Sequence, residues 1–274
     1  DYRIGFKWWA LIIAVVFVIS ELVCVACVPE RPVACDEKPG KISDMFKALF
    51  KNDQAMTVVV SIILVYTSLN ICGNLVLYFF RFDVGNEGAY SIFAAVAFAA
   101  QVLVMMVIPL LRKRFSKSQL FISGFIIQIA GFAVILIMAF AKLYTPQSWY
   151  ILCLPGILIY LGYGMLNVIM TIFLSDSVDY GEVMNGTREE SVIFSMQTFT
   201  VKLASGVAVF LAGLVVDWIH LDTAAAVQTQ DTLDALRMWM TIPSVILLIV
   251  GIFVFKRFYK LDDTRMEEIK SKLN

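Results

Sequence analysis

Charge is the first shortage in this 274-residue sequence. Asp, Glu, Lys and Arg make up 16% of it, against about 25% in soluble domains. Histidine occurs once, as His220, with no Ser or Cys partner at a catalytic spacing, so nucleophile–histidine chemistry finds no footing. A glycine-rich phosphate loop, a cluster of metal-ligand spacing and a basic nucleic-acid patch are all missing. The expectation is therefore no enzyme, no catalytic residues, no metal, no cofactor and no nucleic-acid partner. Five cysteines, Cys24, Cys27, Cys35, Cys72 and Cys153, are scattered and odd in number. Cys24 and Cys27 form a CxxC inside an apolar run with no second pair, so the thiols read as small packing groups rather than a zinc or redox site. Disordered, collagenous and disulfide-scaffold classes fail on the same composition. Lys plus Arg equals Asp plus Glu at 22 each, so net charge points to no acidic partner.

What is abundant is apolar surface. Hydrophobic residues make up 60% and the mean hydropathy is +0.81. So little charge cannot cover so much apolar surface in water, and the fold class expected is an all-α membrane protein in a lipid bilayer. A crossing helix needs about 20 mostly apolar residues. Seven runs qualify: Trp8–Val28, Thr57–Phe80, Tyr90–Leu111, Leu120–Ala141, Trp149–Leu174, Val192–Trp218 and Met238–Phe255. The chain opens on Asp1 rather than Met with no signal peptide ahead of the first run, which reads as a fragment or processed product.

The basic residues orient the spans. Arg31, Lys38, Lys41, Lys47 and Lys51, then Arg112, Lys113, Arg114 and Lys117, then Arg188, and six bases from Lys256 to Lys272 fall on one side. Arg3, Lys7, Arg81, Lys142 and Arg237 fall on the other, and Lys202 lies within a span. The basic side is expected to be cytoplasmic, with the amino end outside and the carboxy end inside. Residues 1–28 then hold a first helix and 29–56 a cytoplasmic loop. Residues 57–258 hold six helices, and 259–274 a cytoplasmic tail that reads as solvated and partly helical. In the loop, Ile42, Met45, Phe46, Leu49 and Phe50 recur at helical spacing among Asp44, Lys47 and Lys51. This is an amphipathic helix lying on the membrane face or on its own bundle.

Polar residues at three-to-four spacing mark faces turned to a bundle or a watery cavity. The second span carries Thr67, Asn70, Asn74 and Tyr78; the fifth Tyr160, Tyr163, Asn167 and Thr171; the sixth Ser191, Ser195, Thr198, Lys202 and Ser205. The third has Gln101, the fourth Gln128, and the seventh Thr241 and Ser244 without a stripe. Three stripes on three helices point to a shared cavity; interhelical hydrogen bonding is the plainer reading of any one of them. Lys202 is the sharpest feature, since an ammonium at mid-bilayer costs at least about 2.5 kcal/mol. It should face a cavity or pair with an acid, and Glu21 is the one acid clearly inside a span.

After the fifth span runs Asp176-Ser177-Val178-Asp179-Tyr180-Gly181-Glu182, followed by Gly186, Arg188, Glu189 and Glu190. On physics alone this is a hydrated junction loop; if still helical, Asp179 and Glu182 share a face that Arg188 can bridge. The run Asp179-Tyr180-Gly181-Glu182, then Gly186 and Arg188, then Ser195-Met196-Gln197-Thr198-Phe199 and Lys202 resembles the glycoside–pentoside–hexuronide:cation symporters, a melibiose-permease-like family of the major facilitator superfamily. Lys47-Ala48-Leu49-Phe50-Lys51-Asn52 resembles that family's central-loop helix, and Pro109 to Phe115 its basic loop between helices eight and nine.

The resemblance implies that the seven spans are helices six to twelve of a twelve-helix fold, the carboxy-terminal part of a secondary transporter. It implies sugar or glycoside symport with Na+ or H+ by alternating access in the plasma membrane. The substrate-binding residues would include Gln197, Thr198 and Lys202, with Tyr163, Asn167, Asn70, Asn74 and Gln101 on the neighbouring faces and Tyr163 placed to stack on a sugar ring. Asp179, Tyr180, Glu182 and Arg188 would gate. Asn167 departs from an aromatic residue at the matching place, which leaves the sugar open. The coupling cation would sit on acids of amino-terminal helices that this chain does not contain. A seven-helix receptor, a non-transporting membrane protein and a lipid-handling relative are the competing readings.

Overall fold

The computed structural model describes residues 2–27, 50–186, 188, 190–225 and 227–273. Seven helices among them are long and apolar enough to cross a membrane, and no strand occurs among the described residues. The amphipathic loop helix, apart from Phe50 and Lys51, lies outside the described residues. The chain divides into two compact units, residues 1–41 and 42–274. The first contains α1, Tyr2–Cys27, apolar all round with its described side chains exposed.

The second unit is a bundle of α2 (Asp53–Tyr78), α3 (Ala89–Leu111), α4 (Lys117–Phe140), α5 (Cys153–Asn185), α6 (Glu190–Trp218) and α7 (Gln230–Phe258), with a short α8 (Asp263–Leu273). α2 packs on α7, α6 and α5, while α5 packs on α4, α3, α2 and α8. These two helices form the centre, and the core runs along them through Phe79, Phe80, Phe121, Phe125, Phe132 and Phe173. α6 leans on α2 through Thr200, Ala204, Ala208 and Ala212, all buried at four-residue spacing, the small-residue seam that lets helices approach closely in a bilayer.

The helix ends follow local chemistry. Asn52 caps α2, its side chain accepting from the Ala55 N–H at 2.9 Å. α2 ends in a π-turn over Phe79–Asp83. Ser116 and Gln119 form a reciprocal capping box at the start of α4. Thr229 caps α7 by accepting from the Thr232 N–H. Gly186 ends α5 in the left-handed region at φ 73°, where a side chain would be strained.

Two sequence expectations change. The acid-rich run after the fifth span is not a loop: α5 continues through Asp176–Glu182 to Asn185, and only a short connector remains before α6. The reason is that Asp176 is paired to Lys117 and Ser177 donates back to Phe173 O, so the polar turns are satisfied within the helix. The tail is not simply solvated either. Leu261, Met266 and Ile269 are buried against Tyr180 and Tyr259, which docks α8 on the end of α5.

Candidate functional site: a polar wall across three helices

The polar groups of α2, α5 and α6 meet midway along the bundle. Asn167 Nδ2 donates to the Tyr66 hydroxyl at 2.6 Å, joining α5 to α2. One turn on, Gln197 Nε2 reaches the Thr171 hydroxyl at 3.4 Å, joining α6 to α5. Thr171 in turn donates to the Asn167 backbone oxygen. Tyr66 and Tyr163 meet edge to face with centroids 5.5 Å apart, and Tyr160 lies 6.4 Å beyond Tyr163. On α2, Asn70 and Asn74 turn their amide N–H groups back onto Tyr66 O and Asn70 O, both at 2.7 Å. Their side-chain oxygens therefore remain as acceptors, since such an amide has donors and acceptor on separate atoms.

Lys202 is exposed on α6, one turn from Thr198 on one side and from Ser205 on the other, along the same flank. None of the described ion pairs includes it. Thr198 is also exposed, its hydroxyl 3.4 Å from Phe194 O. Gln197 is half-buried. Two expected site residues sit differently. Tyr163 is 9% exposed, its ring walled in by Tyr66 and Tyr160, so it backs the site instead of offering a face for stacking. Gln101 lies on α3 against Gly164, and no described hydrogen bond ties it to the wall. Tyr66, absent from the sequence-derived site, is its link between α2 and α5. Its signal was the four-residue step to Asn70.

The basic end of the bundle carries the second set. Arg188 Nη1 donates to Asp179 at 3.0 Å and to Glu182 at 2.7 Å, and its Nε to Glu190 at 3.1 Å. These carboxylates, Glu182 foremost and then Glu190, raise the guanidinium's pKa further above its ordinary value. Tyr180 points elsewhere, packing beneath α8. Lys117 and Asp176 form a buried pair; Asp263 of α8 lies 3.5 Å from Lys117 and 3.2 Å from Arg112. Partial burial would raise the Asp263 carboxyl, but Arg112 and Lys117 outweigh it and hold it below the usual carboxylate range.

The opposite end holds a cluster around Arg237, which the sequence marks only as one of the bases of that side. Arg237 is 2% exposed. It grips Asp83 with two bonds, Nε to Oδ2 at 2.7 Å and Nη2 to Oδ1 at 2.5 Å, and reaches Asp234 at 2.6 Å. The Tyr144 hydroxyl donates to Asp83 at 2.7 Å. Burial, then the Asp83 charge, push that phenol's pKa well up.

Comparison with known proteins fits this architecture. The chain is 23% identical over 234 residues to the raffinose carrier protein of Pediococcus pentosaceus, covering 85% of this chain and 35% of the carrier. It is 25% identical over 261 residues to the isoprimeverose transporter of Lactiplantibacillus pentosus, covering 94% and 52%. Against the lactose permease of Lactobacillus delbrueckii subsp. bulgaricus it is 24% identical over 276 residues, covering 98% and 42%. The chain thus spans about half, or less, of the length of these relatives. The model of the family described as MFS/sugar transport protein matches residues 2–263. With that match running nearly end to end, and seven membrane-length helices and no strand among the described residues, the chain belongs to the MFS/sugar transport protein family.

Proposed function

We propose that this chain supplies one wall of the substrate cavity of a cation-coupled sugar transporter, as helices six to twelve of a twelve-helix protein. The observation that carries this reading is the polar lane from Tyr66 through Asn167 and Thr171 to Gln197, which crosses α2, α5 and α6. Neutral amides, hydroxyls and one ammonium suit a polyhydroxylated substrate, whose hydroxyls both donate and accept. The relatives' names, a raffinose carrier, an isoprimeverose transporter and a lactose permease, agree with that chemistry.

The coupling ion, Na+ or H+, is held by acids outside this chain and raises sugar affinity from there. The two halves then rock about the central site. The basic end faces the cytoplasm of a plasma-membrane protein. There Arg188, tied to Asp179 and Glu182, helps close the cytoplasmic side. Lys202 contacts substrate or an acid of the facing half.

The test is uptake by the whole transporter in proteoliposomes, with raffinose, lactose and isoprimeverose as labelled sugars and an imposed Na+ or proton gradient. Gradient-driven accumulation of a sugar is expected, and Lys202→Ala should abolish it or change its ion dependence. Uptake and ion dependence both unchanged in Lys202→Ala would remove that residue from the site. No sugar accumulation under either gradient would overturn the reading.

A further inference from the structure

Taking the wall as a sugar site, we propose that Tyr66 is a specificity-determining residue: it presents its hydroxyl to one ring hydroxyl of the sugar while Asn167 holds it in place. The inference rests on the transport reading above.

Four observations carry it. Tyr66 is half-buried, so its ring is anchored while part of its surface stays open. Its oxygen accepts from Asn167 Nδ2 at 2.6 Å, and a phenol that accepts still has its own proton to donate. The Tyr163 hydroxyl also lies within hydrogen-bonding reach of that oxygen; with Tyr163 donating, the Tyr66 proton is left for a further partner. Its ring is fixed edge-on against Tyr163 at 76°, and Tyr163 is itself buried, so the phenol cannot swing freely. Around it the amide donors of Asn70 and Asn74 are committed to their own helix, leaving carbonyl oxygens. The local pattern is a Tyr66 O–H, backed by Tyr163 and Asn167, set among acceptors. A sugar hydroxyl that accepts from Tyr66 can give its own proton to a neighbouring amide oxygen. The chain from the Asn167 N–H through the Tyr66 O–H to the sugar then polarises each bond in turn. A site built to bond a hydroxyl rejects the analogue lacking it far better than an apolar pocket can.

The experiment uses the whole transporter in proteoliposomes. A panel of labelled pentosides, hexosides and hexuronides first identifies the sugar taken up fastest by the wild type, and its monodeoxy analogues follow. Tyr66→Phe keeps the ring and removes the hydroxyl. It should raise the sugar KM about tenfold, the worth of one hydrogen bond, and leave the half-saturating ion concentration unchanged. It should also lose the preference for the parent sugar over one monodeoxy analogue. Asn167→Ala should act in the same direction, and the double variant should be no worse than the poorer single one. If Tyr66→Phe fails to reach the membrane, Asn167→Ala, which leaves α2 untouched, is judged by the same criteria. A KM and deoxy discrimination within twofold of wild type, or a strictly additive double variant, would overturn the assignment while leaving sugar transport intact. A wild type that takes up nothing from the panel would overturn the transport reading and this inference with it.

Discussion

The Asp83–Arg237 pair invites the most demanding test of how the bundle is held. Their side chains are 4% and 3% exposed, and the guanidinium engages the carboxylate through two parallel bonds. Replacing Asp83 with Ala leaves Arg237 buried with only Asp234, whose side chain is 39% exposed. Breaking a buried pair from one side costs about 3–5 kcal/mol, because the remaining charge is stranded. For a bundle of this size each kcal/mol lowers Tm by roughly 2–4 °C, so either single variant, Asp83→Ala or Arg237→Met, should melt roughly 6–20 °C early. The double variant Asp83→Leu/Arg237→Met removes both charges and should recover to within about 2 kcal/mol of wild type, since an apolar replacement escapes the desolvation cost altogether. The assay is thermal unfolding of the detergent-purified protein, followed by the loss of the monodisperse peak. Single variants melting within about 2 °C of wild type, or a double variant as poor as the sum of the singles, would refute the account of a mutually dependent buried pair.

Three further outcomes follow from other sites. Gln128 is fully buried, and neither its amide nitrogen nor its oxygen has a partner among the described residues; Gln128→Met should therefore stabilise by about 1–2 kcal/mol, and a drop in Tm would mean the amide is satisfied by something else, such as an internal water. A Cβ at Gly181 would stand 2.8 Å from Asn52 Nδ2, which donates to Ser177 O at 2.8 Å while Asn52 caps α2; Gly181→Ala should cost about 1 kcal/mol, add nothing in an Asn52→Ala background, and be wrong if the two losses simply sum. Asp263 has its carboxyl held below the ordinary range, so its contribution is present above that range and lost as pH falls through its own lower pKa. The pair is partly exposed and worth under about 1 kcal/mol. Hydrogen exchange of α8 amides, corrected for intrinsic rate, should hold steady down to about pH 4 and rise only below it; a rise already above about pH 5 would contradict this.

The sequence made the membrane-crossing stretches legible because a bilayer imposes a length and an apolar composition that leave a plain trace. It blurred the helix ends, because hydropathy reports the bilayer rather than the helix. α5 runs about ten residues beyond its apolar part and α7 begins eight residues before its own, at Gln230 rather than Met238. In both places charged residues are paired inside the fold: Asp176 with Lys117, and Arg237 with Asp83 and Asp234. Lys117 and Asp176 lie 59 residues apart and Asp83 and Arg237 lie 154 apart, pairings that periodicity cannot disclose, unlike the i,i+3 contact of Asp234 with Arg237. The polar stripes were readable from spacing, but the bond from the α5 stripe to α2 runs from Asn167 to Tyr66, a residue outside the stripe read on α2. Which residue on a face turns inward was not readable: Thr67 is buried without a partner among the described residues while Tyr66, its neighbour, makes the cross-helix bond. Resemblance of the Asp179 to Lys202 segment contributed what physics could not, namely the expectation of a sugar transport family, which the family match over residues 2–263 bears out.

α5 carries the wall residues Tyr163, Asn167 and Thr171 and the acids Asp179 and Glu182 on one uninterrupted rod of 33 residues. At 1.5 Å per residue the rod is about 50 Å long, and Thr171 lies about 12 Å from Asp179 along it. With no proline or π-bulge between those points, the helix has no joint at which to bend. It acts as a lever arm. A tilt of this rod that shifts Asp179 and Glu182 against Arg188 also shifts Asn167 against Tyr66. The two ends of the arm are therefore geared to each other through stiffness alone, without any messenger passing between them.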